Sequence, residues 1–126
     1  GKYDIIINFG LFYHLEKFHE QHLVNCIDNC DLMFFESVIF DSADPELSTS
    51  MEGWGIDQSL SGIGLSPSTS YVENIFTKKA CHFTKYTTDK LNAGGHHYNW
   101  PDKNTKTLDR YARRFWIVET PSRQNG

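Results

Sequence analysis

Positive charge is in short supply here. Twelve Lys and Arg face sixteen Asp and Glu over 126 residues, a formal net charge of -4. No basic stripe is present of the kind that marks binders of nucleic acid or of anionic membranes. Cysteine is sparse and odd in number: Cys26, Cys30 and Cys81 cannot build a disulfide framework, which points to reduced thiols and a cytoplasmic setting. Cys26 and Cys30 lie one helical turn apart, where they are expected to pack rather than bond. No apolar run approaches the roughly 18 residues of a membrane span, and no basic, apolar, small-residue leader opens the chain. Internal repeats and low-complexity tracts are lacking too. So is a metal-ligand spacing: His96 and His97 have no third ligand in register, and "HEQH" at His19 to His22 is not the i, i+4 pair of a zinc-protease helix. That segment is expected to be surface with one ring packed. Gly1 stands where a methionine would, reads as a remnant of tag removal, and suggests a fragment boundary.

What remains is an ordinary soluble composition, 39% hydrophobic and 14% aromatic, of a length that forms one domain at most. In "YDIIINF", three consecutive isoleucines predict a strand over residues 3–9 that is covered on both faces. Positions Leu15, Phe18, His22 or Leu23, Cys26, Ile27 and Cys30 then recur at helical spacing, with Glu16, Lys17, Glu20 and Asp28 turned away, so a helix is expected over 16–30. "DLMFFESVIF" predicts a second buried strand over 32–40. Strand, helix and strand within about 40 residues make a βαβ unit with a parallel pair.

Residues 41–67 are rich in Ser, Gly, Asp and Pro and show no periodicity, as expected of a lid or insert. "SPSTSYVENIFTKKA" predicts a helix over about 68–80, capped by Ser68 or Ser70. "CHFTKYTT" and "YARRFWIVE" predict two further strands, joined by a turn-rich stretch without a helix between them. The order is β-α-β-loop-α-β-loop-β, an α/β protein.

In open parallel sheets, ligands bind beyond the carboxyl ends of the strands. "NFGLFYH" occupies that position. Gly10 would allow backbone to approach a ligand, Phe9 and Tyr13 could stack on a ring, and Asn8 and His14 could hydrogen-bond. A glycine turn with two core aromatics and a capping histidine explains the same residues. Arg113 and Arg114 open the last strand and point to opposite faces. One could reach an acidic group; surface pairing is the simpler account. Trp54 and Trp100 stand in loops, as lid aromatics or core plugs.

Taken together, "YDIIINFGLFYHL", "DLMFFESVIF", "PSTSYVENIFTKKA" and the terminal "RRFWIVE" resemble the second half of a class I S-adenosylmethionine-dependent methyltransferase. The resemblance covers nearly the whole chain. The group nearest in character holds the tRNA wobble-uridine carboxymethyltransferase-like enzymes, whose fourth strand ends in a similar glycine, two apolar residues, then Tyr-His. It implies a partial Rossmann-like sheet, strands four to seven of seven, the last antiparallel, with residues 1–126 forming one partial domain. It implies S-adenosylmethionine as cofactor, contacted by Asn8, Phe9 and Gly10 with Tyr13 nearby. His14 would serve as base where the acceptor must lose a proton, with His96 or His97 second. His14 and Glu36 would line the substrate side, joined there by Trp54 and Arg114. Three family features are missing before Tyr3: a Gly-rich turn after a first strand, an acid for the ribose and an acid near the adenine. The one GxG, Gly62 to Gly64, lies in the insert with no strand ahead of it.

Two functions follow as expectations. In one, the parent protein transfers methyl groups to a small molecule or a modified base and the 126-residue chain alone is inactive or binds weakly. In the other, the chain is a non-enzymatic interaction or structural module derived from such a fold. Under both, the open edge of the first strand is expected to pair with a second copy.

Overall fold

Tyr3–Phe9 forms strand β1, Cys30–Asp41 β2, Leu47–Met51 β3, Ile63–Pro67 β4, His82–Tyr86 β5 and Thr107–Glu119 β6. His19–Asp28 forms helix α1, Thr69–Lys78 α2 and Pro121–Gln124 the short α3. In this computed structural model, which describes residues 2–51 and 63–124, the main sheet runs β1-β2-β6-β5 and β3 pairs with β4 alone. β1 and β2 are parallel, with Ile5 opposite Leu32 and Ile7 opposite Phe34. β6 inserts between β2 and β5 and is antiparallel to both. The α/β class and the reversed last strand are therefore as the sequence implies.

Boundaries shift where local chemistry outweighs periodicity. The predicted helix over 16–30 opens as a 3-10 turn at Glu16–Phe18 and becomes α-helical only at His19, since Phe18 offers no side-chain cap. It ends at Asp28, and Cys30 belongs to β2. Both histidines of "HEQH" are engaged, a correction to the surface reading. His19 is buried beside Phe12 and its Nε2 lies 3.0 Å from the Tyr71 hydroxyl. His22 Nε2 lies 3.1 Å from Asn8 Nδ2.

The stretch over 41–67 is not structureless: its described parts form the antiparallel hairpin β3-β4, with Thr49 opposite Leu65. Ser68 clasps the base of that hairpin to α2. Its hydroxyl accepts from the amides of Tyr71 at 3.2 Å and Glu46 at 3.1 Å and donates to the Asp44 carbonyl at 2.6 Å. One fully buried hydroxyl therefore caps a helix and fixes a loop.

The helices share one face of the main sheet. Leu23 and Ile27 of α1 and Val72, Ile75 and Phe76 of α2 bury against Met33 and Phe35 of β2 and Trp116 and Val118 of β6. The aromatic rings at the centre meet edge-on, Phe35 with Phe76 at 5.9 Å and Phe76 with Trp116 at 5.8 Å, the arrangement ring quadrupoles favour. All three thiols are free, and burial pushes Cys30 and Cys81 up to about 11, as befits packing residues.

Alternation sends the other side chains to the opposite face. Tyr3, Ile5, Ile7 and Phe9 project there from β1 and are exposed. β1 is thus covered on one face only, where its unbroken apolar run predicted cover on both.

Candidate functional site

At the carboxyl end of β1 the chain turns through Gly10, whose φ of +62° is left-handed and favours glycine. The turn feeds a 3-10 segment, Phe12–His14, that buries Phe12 and leaves Tyr13 half-exposed. Beside it opens a cavity of about 530 Å³. Phe9, Gly10 and Tyr13 form one wall, Glu36, Arg113 and Phe115 the floor, and Leu91, His96 and Tyr98 the far side.

The floor is built by strand register. Phe9, Glu36, Phe115 and Tyr86 lie in one row across the four strands, so their side chains share a face. Phe9 and Phe115 meet at 5.6 Å and Tyr86 and Phe115 at 6.0 Å. Glu36 is the hub between the elements. Its Oε1 accepts from the Gly10 amide at 3.0 Å and from Arg113 Nη2 at 2.9 Å, and its Oε2 accepts from Arg113 Nε and from the Tyr98 hydroxyl at 2.8 Å.

This fork-to-carboxylate pair is buried, each side chain only 7% exposed, so little solvent screens it. Burial opposes the Arg113 charge, yet the hydrogen bonds it donates to Glu36 and Tyr13 more than offset it and raise its pKa. Burial and the adjacent Glu36 carboxylate raise Tyr98. Tyr98 therefore stays a neutral hydroxyl that donates to Glu36. The cavity floor is polar but internally neutralised, and its walls are rings.

The sequence-predicted residues divide. Phe9, Gly10, Tyr13 and Glu36 come together at the cavity. Asn8 lies one residue away but points to the helix face, 3% exposed, with its Nδ2 near His22 and Cys26. Gly10 is tied to the cavity floor. Its amide is committed to Glu36, and a Cβ there would come within 3.4 Å of Arg113 Nη2. His14 packs beside the Tyr13 ring at 4.1 Å and is not among the lining residues, whereas His96 is.

Arg114 also lies away from the cavity. Its guanidinium stacks 3.5 Å from the Trp100 ring and donates to the carbonyls of Tyr98 and Trp100 and to Asp102. It holds the loop that carries Tyr98, and Trp100 is a plug, its indole donating to the Arg113 carbonyl. Neither arginine pairs at the surface: Arg113 is 6% exposed and Arg114 1%. Trp54 falls outside the described residues. Sequence reasoning missed Tyr98, which pairs with Glu36 across 62 positions, and took Arg114 for the site where Arg113 occupies it. Among the described residues, no group of three or more His, Cys, Asp or Glu could hold a metal, and no helix is long and apolar enough to cross a membrane.

No family model matches the chain, and no curated protein does. Solved structures do match. The N-terminal domain of EvdMO1 with SAH bound superposes with a TM-score of 0.62 at 11% identity, covering 95% of this chain and 47% of that one. The same domain in the presence of SAH and D-fucose gives 0.60 at 10% identity, with 93% and 46% covered. The chain thus shares the α/β fold of that SAH-bound domain and spans about half the length of the solved chains it matches.

Proposed function

We propose that this chain supplies one wall of an S-adenosylmethionine-dependent methyl-transfer site, as one partial domain of a larger unit. The observation that carries the reading is the cavity at the carboxyl end of β1, in a sheet shared with a domain that has SAH bound. The residues present fit one side of such a cofactor. The Phe9-Gly10 turn and Tyr13 offer a ring-lined, close-packed wall, while Asn8 faces the helices. No acidic pair for a ribose is placed at the turn. When bound, the sulfonium supplies an already activated methyl group, which leaves the protein to orient the acceptor and hold its proton.

The acceptor this cavity fits is uncharged and ring-shaped. Phe9, Tyr98 and Phe115 present ring surfaces, and the Arg113 charge is already matched by Glu36, so an anion gains little there. His96, exposed at the far side, is the residue placed to take a proton from an acceptor hydroxyl or amine. Glu36 and Tyr98 hold each other and position the walls.

Titration of the isotope-labelled chain with SAH, followed by amide chemical shifts, tests the reading. A one-walled site is expected to bind at about millimolar, roughly 4 kcal/mol, with shifts confined to Phe9–Tyr13 and His96–Tyr98. Absence of shifts at several-fold higher concentration, or shifts centred on β5, would sink it. The alternative of a non-enzymatic module draws on one observation, the commitment of the Gly10 amide to Glu36. It predicts a silent titration.

A further inference from the structure

The structure assigns the polar end of the cavity to a carbonyl oxygen on a neutral planar ring, held by Arg113 and Tyr13. Donors and acceptors at that end do not balance. Glu36 takes one edge of the Arg113 guanidinium, its Oε2 accepting from Nε and its Oε1 from Nη2 at 2.9 Å. A guanidinium is flat and rigid, so the second hydrogen of Nη2 lies on the other edge, where it donates to the Tyr13 hydroxyl at 3.4 Å. The same edge carries Nη1, which has no hydrogen-bond partner among the described residues.

Nη1 is not sealed off. Among the described residues, the buried side-chain atoms that lack a partner are Asn8 Oδ1, Thr69 Oγ1 and Arg114 Nε. Arg113 keeps its small exposure where it lines the cavity. Tyr13 lines it too, and its hydroxyl accepts from Arg113 while donating to no described residue. Glu36 is the opposite case. Oε1 accepts from Gly10 and Arg113, and Oε2 from Arg113 and Tyr98, which fills the lone-pair sites of the carboxylate. Two donors without partners therefore stand beside an acceptor without room.

This imbalance selects the ligand group. A carboxylate would bring a second negative charge beside Glu36, whose one positive neighbour is already paired. A hydroxyl or amine could accept, but its own hydrogen would face a saturated carboxylate, and a buried donor left unpaired is costly. A carbonyl oxygen has two lone pairs and no hydrogen. It matches one Nη1 hydrogen and the Tyr13 hydroxyl, the first as a charge-assisted bond. The walls select what carries it: Phe9 and Phe115, with ring centroids 5.6 Å apart, and Tyr98 offer ring surface beside that oxygen. A lactam, lactone or cyclic ketone is the class that fits. The hydroxyl or amine that would receive a methyl belongs at the far side, by His96. As a methyl acceptor such a ring rests on the methyl-transfer reading; as an occupant of the cavity it needs no SAH.

Titrations of the isotope-labelled 126-residue chain with three soluble six-membered rings, N-methyl-2-pyridone, phenol and benzoate, provide the test. The pyridone, which has a carbonyl and no N–H, is expected to bind at about millimolar and roughly tenfold tighter than the other two, with shifts at Phe9–Tyr13 and at the Arg113 side chain. Tyr13→Phe removes only a hydroxyl from a half-exposed side chain, so the fold is kept. It should weaken the pyridone about fivefold and leave phenol within about twofold. Equal affinities for the three rings, tighter binding of benzoate, a Tyr13→Phe variant that binds the pyridone unchanged, or no saturable shift at about 50 mM pyridone would each overturn the assignment. A silent SAH titration beside the expected ring preference would end the methyl-transfer reading and keep the carbonyl site. SAH shifts beside three equal rings would do the reverse.

Discussion

Replacing Arg113 by methionine leaves the Glu36 carboxylate in place with two of its donors, the Tyr98 hydroxyl at 2.8 Å and the Gly10 amide at 3.0 Å. The reverse change, Glu36→Leu, leaves a guanidinium with one remaining hydrogen bond, to the Tyr13 hydroxyl at 3.4 Å. Both side chains are 7% exposed, so water cannot readily stand in for the lost partner. Removing one member of a buried pair costs about 3–5 kcal/mol, whereas replacing both by apolar side chains is often neutral. The survivor that keeps more hydrogen bonds is the carboxylate, so Arg113→Met is expected to cost about 3 kcal/mol and Glu36→Leu about 5 kcal/mol. The double variant should fall within about 1 kcal/mol of the parent, a coupling that only contacting residues show. Urea denaturation at neutral pH measures all three, with midpoints shifting at constant slope. Two single losses each below about 1 kcal/mol, or a double loss equal to their sum, would show that the pair is solvated. The hub assignment of Glu36 would then fail.

Two further predictions concern the helices. Ala80 follows the end of α2 with φ of +56°, its amide bonding the Thr77 carbonyl and the Cys81 amide the Phe76 carbonyl. This is a Schellman cap held by a residue with a Cβ, so Ala80→Gly should stabilise by up to about 1 kcal/mol, read as a rise in urea midpoint. The second concerns His22, whose pKa burial lowers beside Asn8 and Cys26. The unfolded chain then binds its proton more readily, so this contribution is complete above the ordinary pKa of about 6.5 and is lost as pH falls below it. His22→Gln should flatten the stability profile between pH 7 and 5, and an unchanged slope would count against that account.

The sequence was legible where one period dominates. The parallel pair of β1 and β2, the helix after Ser68 and the aromatic last strand all follow from local pattern. Ser68 was legible as a cap because its hydroxyl acts three residues ahead. Its second role, holding Asp44 and Glu46, was not, since it depends on a hairpin more than 20 residues away. Alternation placed Arg113 and Arg114 on opposite faces but could not say which face held the cavity. That choice is made by the register of β2 against β6, which sets Arg113 opposite Val38 and within reach of Glu36. Tyr98 carries no local signal at all, because its partner arrives through the packing of a loop fixed by Arg114 and Trp100. The three isoleucines of β1 predicted cover on both faces, and the structure provides one.

That exposed face and the candidate cavity are one surface. The row Phe9, Glu36 and Phe115, which Tyr86 continues, both lines the cavity through its first three members and borders the open apolar face at the carboxyl end of β1. Any layer laid over Ile5 and Ile7 would end beside Phe9, at the rim of the cavity. A cofactor seated there would remove water from above Glu36 and Arg113 and strengthen their pairing. Phe9→Ala should therefore weaken SAH binding in the same titration, while Ile5→Ala, farther along the same face of β1, should leave it within about twofold. Equal affinities for SAH in the two variants would separate two features that the strand register places side by side.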